Sequence, residues 1–245
     1  TGIAQTIAAN GMNVMLTDVD LARAEAGKAN VEKALVKLMG RGKIEAAEAE
    51  SLLARITPVA DYAPFAEADL IIEAATEREE IKNAIFANAG KVLSAGAIMA
   101  SNTSSIPITR MANHSPDPAR FIGLHFFNPV PVMGLIELIR GLATSDETVA
   151  KVEAFAQELG KRVVHANDAP GFIVNRVLMP MINEAIFALG EGVATIPDID
   201  AACQLGLNHP MGPLTLADFI GLDTCLEITR VLFEGTGDPK FRPAP

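Results

Sequence analysis

Two spacings of apolar residues alternate along the first two thirds of the chain. Short, nearly continuous apolar runs read as buried strands over Met12–Asp18, Ile56–Ala60, Ala68–Ala74, Ala97–Ser101, Phe121–Phe126, Leu135–Ile139 and Arg162–Ala166. Between them, apolar positions recur every third or fourth residue and predict helices over Leu21–Met39, Lys43–Arg55, Glu77–Leu93, Ile106–Ala112 and Thr144–Leu159. Gly40-Arg-Gly42 interrupts the first two of these, so they pair as a helical hairpin. Beyond Asp168 the strand pattern stops, and helical spacing broken by Gly and Pro predicts helices over Asn175–Leu189, Pro197–Leu205 and Leu214–Leu232.

The chain opens on Thr1–Gly11, which reads as a helix closed by Gly11, and continues into a strand ending on Asp18. A helix followed by a strand that ends in a carboxylate is the second half of a dinucleotide-binding βαβ unit. The first half, a strand with a G-x-G-x-x-G turn, is expected upstream of Thr1, with Gly2 at most its trailing glycine. The C-terminal Gly235–Pro245 likewise stops in a loop, so the sequence reads as a fragment, expected on its own to bind NAD poorly or not at all. Strands alternating with helices define the fold class: α/β, a Rossmann-like mostly parallel sheet with a helical hairpin insertion, then an all-helical C-terminal domain. The boundary falls between residues 1–167 and 168–245.

Composition narrows the function classes. Of 245 residues, 49% are hydrophobic and 20% charged, enough for a sizeable core. The net charge of -10 argues against a general nucleic-acid or anionic-membrane binder. No apolar run reaches the roughly 18–20 residues that span a bilayer. The two cysteines, Cys203 and Cys225, lack metal-ligand spacing and suit a reducing compartment, so a cytoplasmic location without a bound metal is expected.

The candidate chemistry centres on Gly123–Glu137. His125 ends an apolar strand before a Pro-rich turn, and the next apolar run carries the carboxylate Glu137. An imidazole exchanges protons near neutrality, and a carboxylate at its second nitrogen fixes the tautomer. The alternative is a core histidine and a solvated glutamate. Asp18 is placed to accept from ribose hydroxyls, which favours NAD over NADP, or else caps the next helix. Glu73-Ala-Ala-Thr-Glu77 and Lys82 follow a buried strand at the sheet end where ligands bind, although a solvated helix start would look the same. Ser101-Asn-Thr-Ser-Ser105 supplies hydroxyls and backbone N–H groups for a ligand or for a helix cap. Asp168–Arg176 lies at the domain junction, where Asn175 either donates to a substrate carbonyl or packs. His209–Pro213 reads as a turn and helix start.

Taken in order, Gly2-Ile-Ala-Gln-Thr, Ala100–Ser105, Gly123–Met133, Pro170–Arg176 and Pro210-Met-Gly-Pro213 resemble the L-3-hydroxyacyl-CoA dehydrogenase family over essentially the whole chain. The resemblance implies NAD-dependent interconversion of L-3-hydroxyacyl-CoA and 3-ketoacyl-CoA. By that likeness His125 is the general base, Glu137 its orienting carboxylate, and Ser104 and Asn175 hydrogen-bond the reacting oxygen or thioester. Asp18, Ala74, Glu77, Lys82 and Asn128 line the cofactor, the hairpin bears on CoA with Arg41 as a weak phosphate candidate, and the helical domain forms a homodimer. Gly134 departs from the family pattern, where Lys is common, and Ala34 stands where a small polar residue is usual. Two other outcomes fit the same residues: a dehydrogenase of a small hydroxy acid such as a sugar acid or carnitine, or a crystallin-like relative without turnover.

Overall fold

The apolar runs form seven strands, arranged in two sheets, in a computed structural model that describes residues 1–245. The chain divides into two units, Thr1–Thr103 with Ile108–Asp168, and Ser104–Pro107 with Ala169–Pro245.

In the first unit, α1 (Gly2–Ala9) leads into β1 (Val14–Leu16), then α2 (Leu21–Gly40), α3 (Ala46–Ala54) and β2 (Ile56–Pro58). Strands β1 and β2 pair in parallel, and the helices close over them around Ala8, Val31, Leu35, Leu52 and Ile56. Asp20 sets the start of α2 by accepting from the Arg23 N–H at 2.8 Å, which satisfies one of the helix's orphan donors.

The second sheet has the order β3-β4-β5-β6-β7, built from β3 (Leu70–Glu73), β4 (Ile98–Ser101), β5 (Phe121–Phe126), β6 (Leu135–Arg140) and β7 (Arg162–Asn167). Three of its four pairings are parallel; β5–β6 is antiparallel because a short proline turn, rather than a helix, joins them. Helices α4 (Glu79–Ala89), α5 (Ile108–Ala112) and α6 (Asp146–Glu158) complete the unit. Ser145 caps α6 by accepting from the Thr148 N–H.

Strand β5 is buried along its whole length and sends alternate residues to opposite faces. Ile122, Leu124 and Phe126 join Ile136 and Leu138 in the main core with Val152 and Ala156 of α6. Each such fully buried aliphatic side chain contributes about 1.5–3 kcal/mol. Gly123 and His125 face the other way, where a Cβ on Gly123 would lie 2.8 Å from Ile108 Cδ1 and from Ile139 Cβ. A glycine is therefore required for α5 to pack this closely on the strand that carries His125.

The second unit holds α7 (Val174–Gly190), α8 (Ile196–Gly206), α9 (Pro213–Ile220) and α10 (Leu222–Thr236), around Met179, Ile182, Ala217, Cys225, Leu232 and Phe241. Asp200 on α8 ties that helix to α9. It accepts from the N–H groups of Leu214 and Thr215 at 2.8 and 3.0 Å and from the Thr215 hydroxyl at 2.6 Å, fixing the start of α9. The approach is so close that a Cβ on Gly212 would meet Asp200 Cβ at 2.3 Å.

Several boundaries differ from the sequence expectation: β1 is shorter than Met12–Asp18, α3 begins at Ala46 rather than Lys43, α4 ends at Ala89 rather than Leu93, and α6 begins at Asp146 rather than Thr144. The expected helix Leu214–Leu232 is two helices, divided at Gly221 with φ +100, a conformation that apolar spacing does not reveal. Helix α4 begins at Glu79 rather than Glu77, since residues 74–78 run as a loop off the end of β3. Helix α5 begins at Ile108 rather than Ile106, where Asp168 accepts from the Ile108 and Thr109 N–H groups at 2.9 and 2.7 Å. No helix is long and apolar enough to cross a membrane.

Candidate active site

His125 and Glu137 occupy directly opposed positions of the antiparallel β5–β6 pair. The imidazole Nδ1 lies 2.8 Å from Glu137 Oε2, with His125 at 5% exposure and Glu137 at 0%. Buried ionisable partners at this distance hold one another in a low-dielectric setting. The ring also leans on Phe127, with centroids 4.6 Å apart. The strand end is held from a neighbouring turn by Asn102, whose side-chain oxygen accepts from the Phe126 N–H at 2.7 Å. Asn102 also donates its own N–H to the Glu73 carbonyl at 2.7 Å, so it ties together the ends of three strands.

A polar network sits at the carboxyl ends of β3 and β4. Lys82, 1% exposed, places its ammonium 2.9 Å from both oxygens of Glu73 and 3.4 Å from Glu77 Oε2. Glu73 also accepts from the Ser101 hydroxyl at 2.7 Å and from the Ala75 N–H at 2.5 Å. Thr103 donates its hydroxyl to Glu77 Oε1 at 2.5 Å. Burial and the negative charge of Glu73 push the Tyr62 hydroxyl above its usual range. Ala74 and Glu77 are exposed on the loop that leaves β3.

The turn after β5 starts at exposed Asn128 and carries a cis Asn128–Pro129 bond. Lys161 donates to the carbonyls of Val130 and Met133, both at 2.7 Å, and so pins the turn to the sheet; burial lowers this ammonium's pKa. Val130 in turn packs on the start of α1, where a Cβ on Gly2 would come within 3.2 Å of Val130 Cβ.

The remaining expected residues are distributed as follows. Asp18 is exposed just past the end of β1 and accepts from the Val19 N–H at 2.7 Å, while the α2 cap is Asp20. Arg41 is exposed at the C-terminal end of α2, in the hairpin turn. Ser104 belongs to the helical unit, and Asn175 lies in the first turn of α7 in that unit. The bonds of Asn102 to Phe126, of Lys82 to Glu73, of Lys161 to the proline turn and of Asp200 to the start of α9 are not expected from the sequence. Asp200 had a local signal, the Gly-Pro helix start that needs a cap; Glu73 meets Lys82 only nine positions on, whereas Asn102 and Lys161 act through partners more than twenty positions away.

The profile of the 3-hydroxyacyl-CoA dehydrogenase NAD binding domain matches residues 1–169, and that of the 3-hydroxyacyl-CoA dehydrogenase C-terminal domain matches residues 171–245. The chain belongs to the 3-hydroxyacyl-CoA dehydrogenase family. It is 52% identical to a probable 3-hydroxybutyryl-CoA dehydrogenase of Deinococcus radiodurans over 100% of this chain and 87% of that protein. A 3-hydroxybutyryl-CoA dehydrogenase of Bradyrhizobium diazoefficiens is 50% identical, with 100% and 83% covered. The crystal structure of (S)-3-hydroxybutyryl-CoA dehydrogenase from Ralstonia eutropha superposes with a TM-score of 0.97 at 49% identity, covering 99% of this chain and 86% of that one.

The residues of this dehydrogenase fit NAD. Asp18 stands just beyond the carboxyl end of β1 in the two-stranded sheet, and the Glu73–Lys82–Glu77 network and His125 stand at or near the carboxyl ends of β3, β4 and β5 in the other, the strand ends at which parallel sheets receive dinucleotides. The first turn of α1 carries no acidic side chain, as an anionic diphosphate near a helix N-terminus requires.

Proposed function

We propose that this dehydrogenase interconverts L-3-hydroxyacyl-CoA and 3-ketoacyl-CoA, with His125 as the general base. The observation that carries the assignment is the buried His125–Glu137 pair. A carboxylate accepting at Nδ1 keeps that nitrogen protonated, so the basic lone pair of the neutral ring resides on Nε2. In the oxidative direction Nε2 takes the proton of the 3-hydroxyl group as C3 is oxidised. Glu137 then faces an imidazolium and stabilises it, and in the reductive direction the same nitrogen returns the proton. NAD, when bound, supplies the two-electron hydride acceptor.

Around this pair we assign Asp18 to the adenosine ribose and Ala74, Glu77, Lys82 and Asn128 to the rest of the cofactor. The assignment is supported by their place at the strand ends and in the turn that Lys161 pins. Ser104 and Asn175 are assigned to the substrate's reacting oxygen or thioester, and Arg41 to a CoA phosphate, by family likeness. We further assign a cytoplasmic homodimer built on the helical unit. The exposed apolar side chains Val177, Phe219, Leu222 and Phe233 of the helical unit support the dimer, since a partner would cover them.

The test is His125→Gln in the full-length protein, followed as NADH oxidation with acetoacetyl-CoA. Loss of a positioned acid–base group is expected to lower kcat by about 10²–10⁴-fold. Unchanged turnover would overturn the assignment of the base, and faster turnover of free small hydroxy acids than of the thioester would overturn the substrate class.

A further inference from the structure

We infer that Thr103 is a positioning residue for cofactor binding: it orients Glu77 as an acceptor for a vicinal diol, the chemical feature a nicotinamide dinucleotide presents in its riboses. This rests on the proposed assignment of Glu77 to the cofactor and deepens it by naming what holds that carboxylate in place.

The argument starts from exposure. Glu77 lies on a loop, its side chain 40% exposed, and a carboxylate there would ordinarily sample several rotamers. Two buried groups restrain it here. Thr103, with 0% exposure, directs its hydroxyl to Oε1. Lys82, also buried, approaches Oε2 at 3.4 Å while both Glu73 oxygens hold its ammonium at 2.9 Å.

The restraint is anchored rather than floating. Thr103 donates its own N–H to Ser101 Oγ at 3.3 Å, and the Ser101 hydroxyl donates to Glu73. Glu73, Ser101 and Thr103 therefore form a continuous hydrogen-bonded path from the ends of β3 and β4 to the partly exposed carboxylate. Of the groups contacting Glu77 in this path, the Thr103 hydroxyl is neutral, so it fixes direction without cancelling charge. An ionised carboxylate with a fixed orientation accepts strongly from hydroxyl donors, and a pair of adjacent hydroxyls can engage it together. Preorganisation of this kind improves binding by removing the rotamer cost otherwise paid when the ligand arrives.

The variant that isolates the claim is Thr103→Val, which keeps the volume and branching and replaces the hydroxyl with a methyl group. In the full-length enzyme the expected result is a roughly 10-fold rise in KM for NAD with kcat altered less than about twofold, the signature of lost ground-state binding. Thr103→Ser is expected to restore KM to within about threefold of the parent, since it returns the donor. Glu77→Gln is measured alongside, with circular dichroism and thermal unfolding to confirm that each variant is folded. If Glu77→Gln raises KM for NAD and folded Thr103→Val does not, the positioning role is overturned while the cofactor assignment stands. If Glu77→Gln leaves KM unchanged, the cofactor assignment of Glu77 fails and the inference falls with it. A Thr103→Val protein that loses kcat at unchanged KM would also overturn it.

Discussion

Nδ1 of His125 and Oε2 of Glu137 lie 2.8 Å apart because β5 and β6 run antiparallel in a register that sets these two residues directly opposite. Twelve positions separate them in sequence, and the proline turn between the strands decides the register. Directly opposed residues of an antiparallel pair bring their side chains onto the same face at the closest spacing a sheet allows. The pair is thus a product of sheet geometry, and both residues are buried.

Glu137→Gln follows directly. The amide keeps the shape, removes the charge that an imidazolium would face, and can present N–H where the ring needs an acceptor. In the full-length enzyme kcat is expected to fall by about 10²–10⁴-fold with little change in KM for acetoacetyl-CoA. Steady-state kinetics at neutral pH checks this, and a variant with parental kcat would show that Glu137 plays no part in orienting the ring.

The Lys82–Glu73 pair makes a prediction about stability. Both side chains are 1% exposed, and Glu73 has two further donors, the Ser101 hydroxyl and the Ala75 N–H. Removing only the cation with Lys82→Met strands a buried carboxylate, which typically costs about 3–5 kcal/mol. The double variant Glu73→Gln with Lys82→Met removes both charges and is expected to recover at least half of that loss. Urea unfolding of the parent, both single variants and the double variant closes the cycle. Additive losses would mean that the two groups are energetically independent despite their contact.

Asp200 makes acid sensitivity predictable in sign. Burial pushes its carboxyl up, but the Thr215 hydroxyl and the Leu214 and Thr215 N–H groups together outweigh this and hold the pKa below the usual 3.8. A carboxyl whose folded pKa is depressed contributes stability that is fully present above its unfolded pKa and lost as pH falls through the folded value. The Asp200 contribution is therefore expected to be constant from neutrality down to about pH 4 and to disappear below it. Asp200→Asn is expected to lower the unfolding midpoint at pH 7 and to flatten the decline of stability below pH 4. Thermal unfolding across that range measures both, and parallel pH profiles for variant and parent would contradict the assignment.

How much of this was legible beforehand differs from element to element. The buried strands stood out because a parallel strand covered on both faces must be apolar almost throughout, and β4 and β5 are. The helical hairpin was equally clear from its glycine break. Gly221 was not, since a single glycine inside continuing apolar spacing leaves its φ undecided until α9 and α10 pack. Asp168 looked like a junction residue, yet its measurable role is to cap α5, a bond between positions about sixty apart.

Local order of apolar and polar residues by itself determined the α/β character, the succession of helices and strands, and the presence of His125 and Glu137 on consecutive strands. These depend on side-chain periodicity and turn chemistry, which act over a few residues. Tertiary structure alone decided that Lys82 is buried against Glu73, that Asn102 ties three strand ends together, and that Thr103 reaches Glu77. Each of those contacts joins segments brought together by sheet order and burial, and a buried polar group takes its partner from whatever the packing places within hydrogen-bond distance.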